Sequence, residues 1–203
     1  MDLYIVRHGN TFDKGDVVTR VGARTDLALS SSGHAQADAL AAHFLAVLPE
    51  GFRTAYCSPL QRTKQTAETM LAVRENRPLL QTLEFLREVD YGPDENQPEE
   101  RVIARIGKAA LAAWDRDAVP PSGWDFDPDE IRRAWLDLFH LIGGDASSGP
   151  ILIVTSNGIA RFALDSVTEF KIQPGSIKLN TGAYGHLQIT GDTVCLISWN
   201  VRP

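Results

Sequence analysis

With 203 residues, 43% hydrophobic and 23% charged, the chain is long enough for a sizeable core and too apolar to stay disordered. A net charge of −6 without a lysine or arginine run argues against general attraction to nucleic acid or anionic lipid, so a phosphate site here must be local. The sequence has no basic stretch leading into a long apolar one. Cys57 and Cys195 each lie inside an apolar run, so reduced thiols, a cytoplasmic setting and no membrane span are expected.

The run Leu3-Tyr4-Ile5-Val6 ends abruptly in Arg7-His8-Gly9, as a buried strand does when its carboxyl end opens onto a cleft. At such a place an imidazole can attack phosphorus while a guanidinium holds equatorial oxygens. The same residues equally fit a polar strand end with Arg7 paired to a carboxylate. The polar stretch from Asn10 to Leu29 reads as a loop. Ser30 or Ser31 then offers an N-cap to a helix with Ala37, Leu40, Ala41, Phe44, Leu45 and Leu48 on one face, ended by Pro49 and Gly51. Thr54 to Cys57 is a second strand. Ser58-Pro59-Leu60-Gln61 has the form of a capping box with proline at the first helical position, which predicts a helix from Ser58 to about Leu71. Arg62 then falls in its first turn, where free amides and the helix dipole favour an anion; a solvated arginine beside Lys64 is the alternative.

Leu79 to Val89 fits a strand and a turn. Glu88 is there either part of a charged loop or, if partly desolvated near a cleft, a carboxyl group able to protonate a leaving oxygen. After the break at Tyr91-Gly92-Pro93, helices are expected from Glu99 to Trp114 and, beginning at Asp127-Pro128-Asp129-Glu130, through Ile131, Trp135 and Leu141. Residues 92–142 read as a helical insertion roofing the cleft. Trp114, Trp124, Phe126 and Trp135 within it more often fill core than line a pocket at such spacing. A third strand, Ile151 to Thr155, runs into Ser156-Asn157-Gly158 and a helical Ile159 to Leu164, and the alternation in Ala183–Ile189 and Val194–Trp199 around Gly191 predicts a hairpin. The order of elements gives one α/β domain over residues 1–203. No His/Cys/Asp cluster has metal-ligand spacing, and neither a metal nor a cofactor is expected.

Taken together, several motifs resemble the histidine phosphatase superfamily, which includes the phosphoglycerate mutases. They are Arg7-His8-Gly9-Asn10-Thr11, then Gly22-x-Arg24-x-Asp26-x-x-Leu29-Ser30 with Gly33 and Gln36-Ala37, then Ser58-Pro59-Leu60-Gln61-Arg62-Thr63-Lys64-Gln65-Thr66-Ala67, and Leu86-Arg87-Glu88 before Gly92. The resemblance implies a three-layer α/β sandwich with a mainly parallel central sheet. It makes His8 a nucleophile that accepts the phosphoryl group, Arg7 and Arg62 its clamp, and Glu88 the proton donor. Asn157, Asn10 and Gly158 are expected on the substrate.

Two departures qualify what it implies. Where the family carries a second histidine followed by glycine, this chain has Asn157-Gly158, an amide that can donate to a phosphoryl oxygen but carries no charge. Compensation by another histidine, for instance His186 on the last hairpin, is not expected, since a lone strand histidine is more often structural. The run Asn10-Thr11-Phe12-Asp13-Lys14 also differs from the mutase pattern, so hydrolysis is expected ahead of mutase activity. Lys14 and Arg24 either greet a substrate at the rim or are simply solvated. The expected partner is a small phosphorylated metabolite or a phosphoprotein, with a catalytically degenerate phosphate-binding or regulatory module as the alternative. No oligomeric state is implied.

Overall fold

The structure, a computed structural model, describes residues 1–145 and 149–203. Its strands are β1 (Asp2–Arg7), β2 (Thr54–Cys57), β3 (Leu80–Thr82), β4 (Ile151–Thr155), β5 (Glu169–Phe170), β6 (Tyr184–Thr190) and β7 (Thr193–Val201). They form a single sheet in the order β3-β2-β4-β1-β6-β7-β5. Strands β3, β2, β4 and β1 run parallel, β6 is antiparallel to both β1 and β7, and the short β5 pairs parallel with β7 at the edge.

Continuous apolar runs in β1 and β4 follow from burial on both faces. Leu3 and Ile5 face one core together with Ile151 and Ile153, while Tyr4 and Val6 face a second with Leu152 and Val154. Helices α1 (Ser31–Val47) and α2 (Gln61–Ala72) cover the second face. The first is covered by α3 (Glu99–Asp117), α4 (Pro128–Gly143) and the one-turn α5 (Asn157–Ala160), which continues as a 3₁₀ segment, Arg161–Ser166. Three layers result, with the mainly parallel sheet in the middle.

Several local expectations hold. Ser30 caps α1 by accepting from the amide of Gly33, and Asp127 caps α4, with Pro128 at its first position. Others differ. Helix α2 begins at Gln61 rather than Ser58, because the Ser58 hydroxyl turns to the Leu60 amide and to Thr63. The carboxylate that accepts from the Gln61 amide, at 2.7 Å, is Asp26 from the preceding loop. Helix α3 is broken at Gly107 (φ 81°, ψ 155°), a left-handed conformation that side chains rarely adopt.

The expected roofing pair divides. Trp135 of α4 is fully buried, its indole N–H donating to the carbonyl of Ile159, and Leu138, Phe139 and Ile142 share the core of the sheet. α4 therefore covers the sheet, whereas α3 reaches the cleft through Glu99, Trp114 and Asp115. Both cysteines are free and buried, and burial pushes the Cys57 thiol up to about 11. No helix among the described residues is long and apolar enough to cross a membrane.

Candidate active site

Because β1, β4 and β2 are parallel neighbours, their carboxyl ends emerge on the same edge, where ligands of open α/β sheets bind. A cleft of about 470 Å³ opens there, lined among others by Arg7, His8, Glu88, Tyr91 and Asn157. His8 follows directly on β1, with its amide donating to the carbonyl of Thr155 at the end of β4. Its ring is almost wholly buried. The Nδ1 atom lies 2.7 Å from the carbonyl of Gly9, and since that oxygen can only accept, Nδ1 carries the hydrogen. The lone pair is thereby left on Nε2, to which Arg62 Nε donates at 3.2 Å. Burial, then the positive charges of Arg62 and Arg7, hold the His8 pKa well below the ordinary histidine range, against a smaller opposing effect of the Gly9 hydrogen bond. The imidazole is thus neutral and oriented, with the Nε2 lone pair beside the Arg62 guanidinium.

Arg62, in the first turn of α2 and 1% exposed, is fixed by the carbonyls of Thr25 (2.9 Å) and Gly22 (3.2 Å). This gives a physical role to the loop motif around Gly22 and Asp26: its carbonyls aim the guanidinium, and its carboxylate starts the helix that carries it. Arg7 donates to the carbonyl of Leu179 at 2.9 Å, and its Nε is buried without a partner among the described residues. Burial is the leading influence on both guanidiniums and lowers their pKa, with Glu88 opposing it.

Glu88 reaches the site by a longer route. Thr155 at the end of β4 donates to the carbonyl of Leu86 at 2.7 Å, which draws the turn after β3 over the sheet edge. The carboxylate is buried and accepts from the amides of Val89 (2.9 Å) and Gly158 (3.2 Å). A side chain at position 158 would collide with this carboxylate, which accounts for the glycine.

A family model of the histidine phosphatase superfamily, branch 1, matches residues 3–202. The chain belongs to that superfamily. A search of curated protein sequences returned no match. Among solved structures, the chain is similar to mycobacterial glucosyl-3-phosphoglycerate phosphatase in complex with VO3 (TM-score 0.79, 20% identity, covering 98% of each chain). It is also similar to the alpha-ribazole phosphatase of Shigella flexneri (TM-score 0.74, 20% identity, 100% of this chain and 97% of that one). A third is the phosphoserine phosphatase of Entamoeba histolytica in complex with 3-phosphoglyceric acid (TM-score 0.74, 17% identity, 98% and 96%). At these identities the likeness speaks to the fold.

Within this histidine phosphatase fold, His8, Arg7 and Glu88 line one cleft, and Arg62 meets it through its hydrogen bond to His8. Asn157 joins them on the cleft wall. Its Oδ1 accepts from the amide of Leu179 at 2.8 Å, which identifies that atom as the oxygen and leaves Nδ2 free. Two expected substrate contacts are otherwise engaged. The side-chain amide of Asn10 donates to Ser32 although the residue lines the cleft, and the amide of Gly158 is taken by Glu88. Lys14 and Arg24 lie off the cleft lining, with Arg24 ion-paired to Asp90 at 2.7 Å. His186 pairs with Asp2 and stacks on Tyr4, also away from the lining. Of the four aromatic residues weighed as pocket lining, Trp114 lines the cleft; Trp124 and Trp135 are buried core, and Phe126 packs on that core against Trp114 and Phe162.

Sequence reasoning passed over Arg20, Tyr91 and Arg161. Arg20 lies over the rings of Tyr91 and Trp124, 5.2 Å from each centroid. Arg161 is 2% exposed and stacks 4.0 Å over Trp114. Its position one helical turn after Asn157 was the available signal.

Proposed function

We propose that this protein is a phosphatase that hydrolyses a small phosphomonoester through a phosphohistidine on His8. The observation that carries this reading is the tautomer: Nδ1–H is held by Gly9, so Nε2 presents its lone pair beside the Arg62 guanidinium. Nε2 attacks phosphorus, the P–O bond to the leaving group breaks, and Glu88 gives its proton to the departing alkoxide oxygen. In the second half Glu88 takes a proton from water, the resulting hydroxide oxygen bonds to phosphorus, and the P–N bond breaks to release phosphate. Arg62 moves its Nε–H from His8 to a phosphoryl oxygen as the bond forms, and Arg7 holds another; preorganised charge of this kind supplies much of the acceleration in phosphoryl transfer.

A cleft of about 470 Å³ is of small-molecule size, which favours a phosphorylated metabolite over a phosphoprotein. The solved relatives named for small metabolites, alpha-ribazole and glucosyl-3-phosphoglycerate, support the same choice. Substrate choice belongs to residues 92–142, through Glu99, Trp114 and Asp115 of α3 on the cleft.

Asn157 favours a second reading, a phosphate-binding module without turnover. It offers the hydrogen-bond pattern of a neutral imidazole, an acceptor toward Leu179 and a donor toward the cleft, but no charge. Steady hydrolysis of p-nitrophenyl phosphate by the purified protein, lost in His8→Ala, supports the phosphatase. Hydrolysis unchanged in His8→Ala removes it, and inorganic phosphate binding with background turnover assigns the binding module.

A further inference from the structure

Arg161 is a buried guanidinium without an acid at ion-pair distance among the described residues. Its Nε donates to the carbonyl of Asn157 at 3.2 Å, its Nη1 donates to the carbonyl of Trp114, and its plane lies 4.0 Å over the Trp114 indole. The Nη2 atom is buried and has no hydrogen-bond partner among the described residues. A buried charge left unpaired is costly, and two carbonyls and an aromatic face offset it only in part. Both groups it holds, Asn157 and Trp114, line the cleft. Through Leu179 the same unit reaches Arg7: the Leu179 amide donates to Asn157 Oδ1, and the Leu179 carbonyl accepts from Arg7 Nη1. The Arg7 guanidinium in turn senses the positive charge of Arg161.

We propose that Arg161 is the third guanidinium of the phosphoryl site, a positioning residue behind Asn157 that supplies the fixed positive charge an imidazolium at position 157 would otherwise carry. The inference rests on the reading of this cleft as a phosphate site, though not on turnover. Arginine stays protonated throughout the working pH range, so the site's charge does not depend on a second titrating histidine. The division of labour is then clear: Asn157 Nδ2 supplies the directed donor, and Arg161 the field.

Charge and packing separate in two variants. Arg161→Lys keeps the cation and loses the flat stack on Trp114; Arg161→Met keeps the stem and loses the cation. Inorganic phosphate binding, followed by calorimetry, is expected to weaken about tenfold or more in Arg161→Met and to recover most of that in Arg161→Lys, with kcat for p-nitrophenyl phosphate following the same order and KM moving less. A folded Arg161→Met that binds phosphate as the wild type does, or two variants equally impaired, overturns the proposal. Should Arg161→Met fail to fold, the wild type decides. Its side-chain ¹⁵N guanidinium resonances, with that of Arg161 identified by its absence in Arg161→Lys, are expected to shift on phosphate addition at Arg161 as well as at Arg7 and Arg62. An unmoved Arg161 resonance overturns the proposal. Phosphate binding that moves Arg161 without any hydrolysis defeats the phosphatase reading alone, whereas a wild type that binds no phosphate ends both.

Discussion

In the proposed reaction the chemistry turns on a buried imidazole, not a charged one. Since burial and two guanidiniums depress the His8 pKa, the ring stays neutral as pH falls through about 6.5, the value of a free histidine. In an NMR titration its ring signals are therefore expected to hold their neutral positions at pH 6, where exposed histidines have begun to move. The sign for stability follows: the unfolded chain takes up a proton there that folded His8 refuses, so stability is lost as pH drops below about 6.5 toward the folded pKa. Removing the free donor at position 157 tests a different contribution. Asn157→Ala is expected to lower kcat about 100- to 1000-fold, the range for one preorganised donor, and an unaltered rate would make the amide a spectator. Glu88→Gln is expected to cost roughly 100- to 10,000-fold on an alkyl phosphate, whose leaving group needs a proton. The loss should be much smaller on p-nitrophenyl phosphate, whose leaving group departs without one.

Elements show where local sequence signals win and where long-range contacts override them. The runs of β1 and β4 and the caps of α1 and α4 were legible because each depends on neighbours in sequence. Ser58 misled because its hydroxyl found Thr63, while Asp26, 35 residues before Gln61, took over the helix start. Nothing in the stretch 58–61 announces that partner. Asp26→Ala is thus expected to destabilise the protein by about 1 kcal/mol, the usual value of a lost cap, and Ser58→Ala to leave the start of α2 unchanged. Denaturant unfolding compares the two. The break in α3 was invisible to periodicity, since the apolar spacing continues across Gly107. Its positive φ predicts that Gly107→Ala costs about 1–3 kcal/mol, although a methyl group there meets no neighbour. The two-residue β5 carried too little pattern to be read at all.

At the scale of the molecule, one sheet edge gathers residues from distant parts of the chain. Parallel neighbours β2, β4 and β1 bring Arg62, Asn157 and His8 to a common cleft, and a hydrogen bond from Thr155 to Leu86 recruits Glu88 from beyond the edge strand. The four residues of the core constellation were legible as an ordered set of motifs. Arg161 was not, because the absence of an acid at ion-pair distance among the described residues shows only in the packing. Packing on the face that carries α5 must hold this edge rigid. Trp135→Ala, which empties a fully buried site under α5, is expected to cost about 3–5 kcal/mol and to lower activity through Asn157 and Gly158, the first two residues of α5. The most direct test of the whole account is rapid acid-free quenching of the protein during turnover of a ³²P-labelled phosphomonoester. The expected result is one acid-labile, base-stable phosphoryl group per chain, mapped by peptide mass spectrometry to His8 and missing in His8→Ala. A label on another residue, or turnover with no phosphoenzyme at any time point and no dependence on His8, would contradict it.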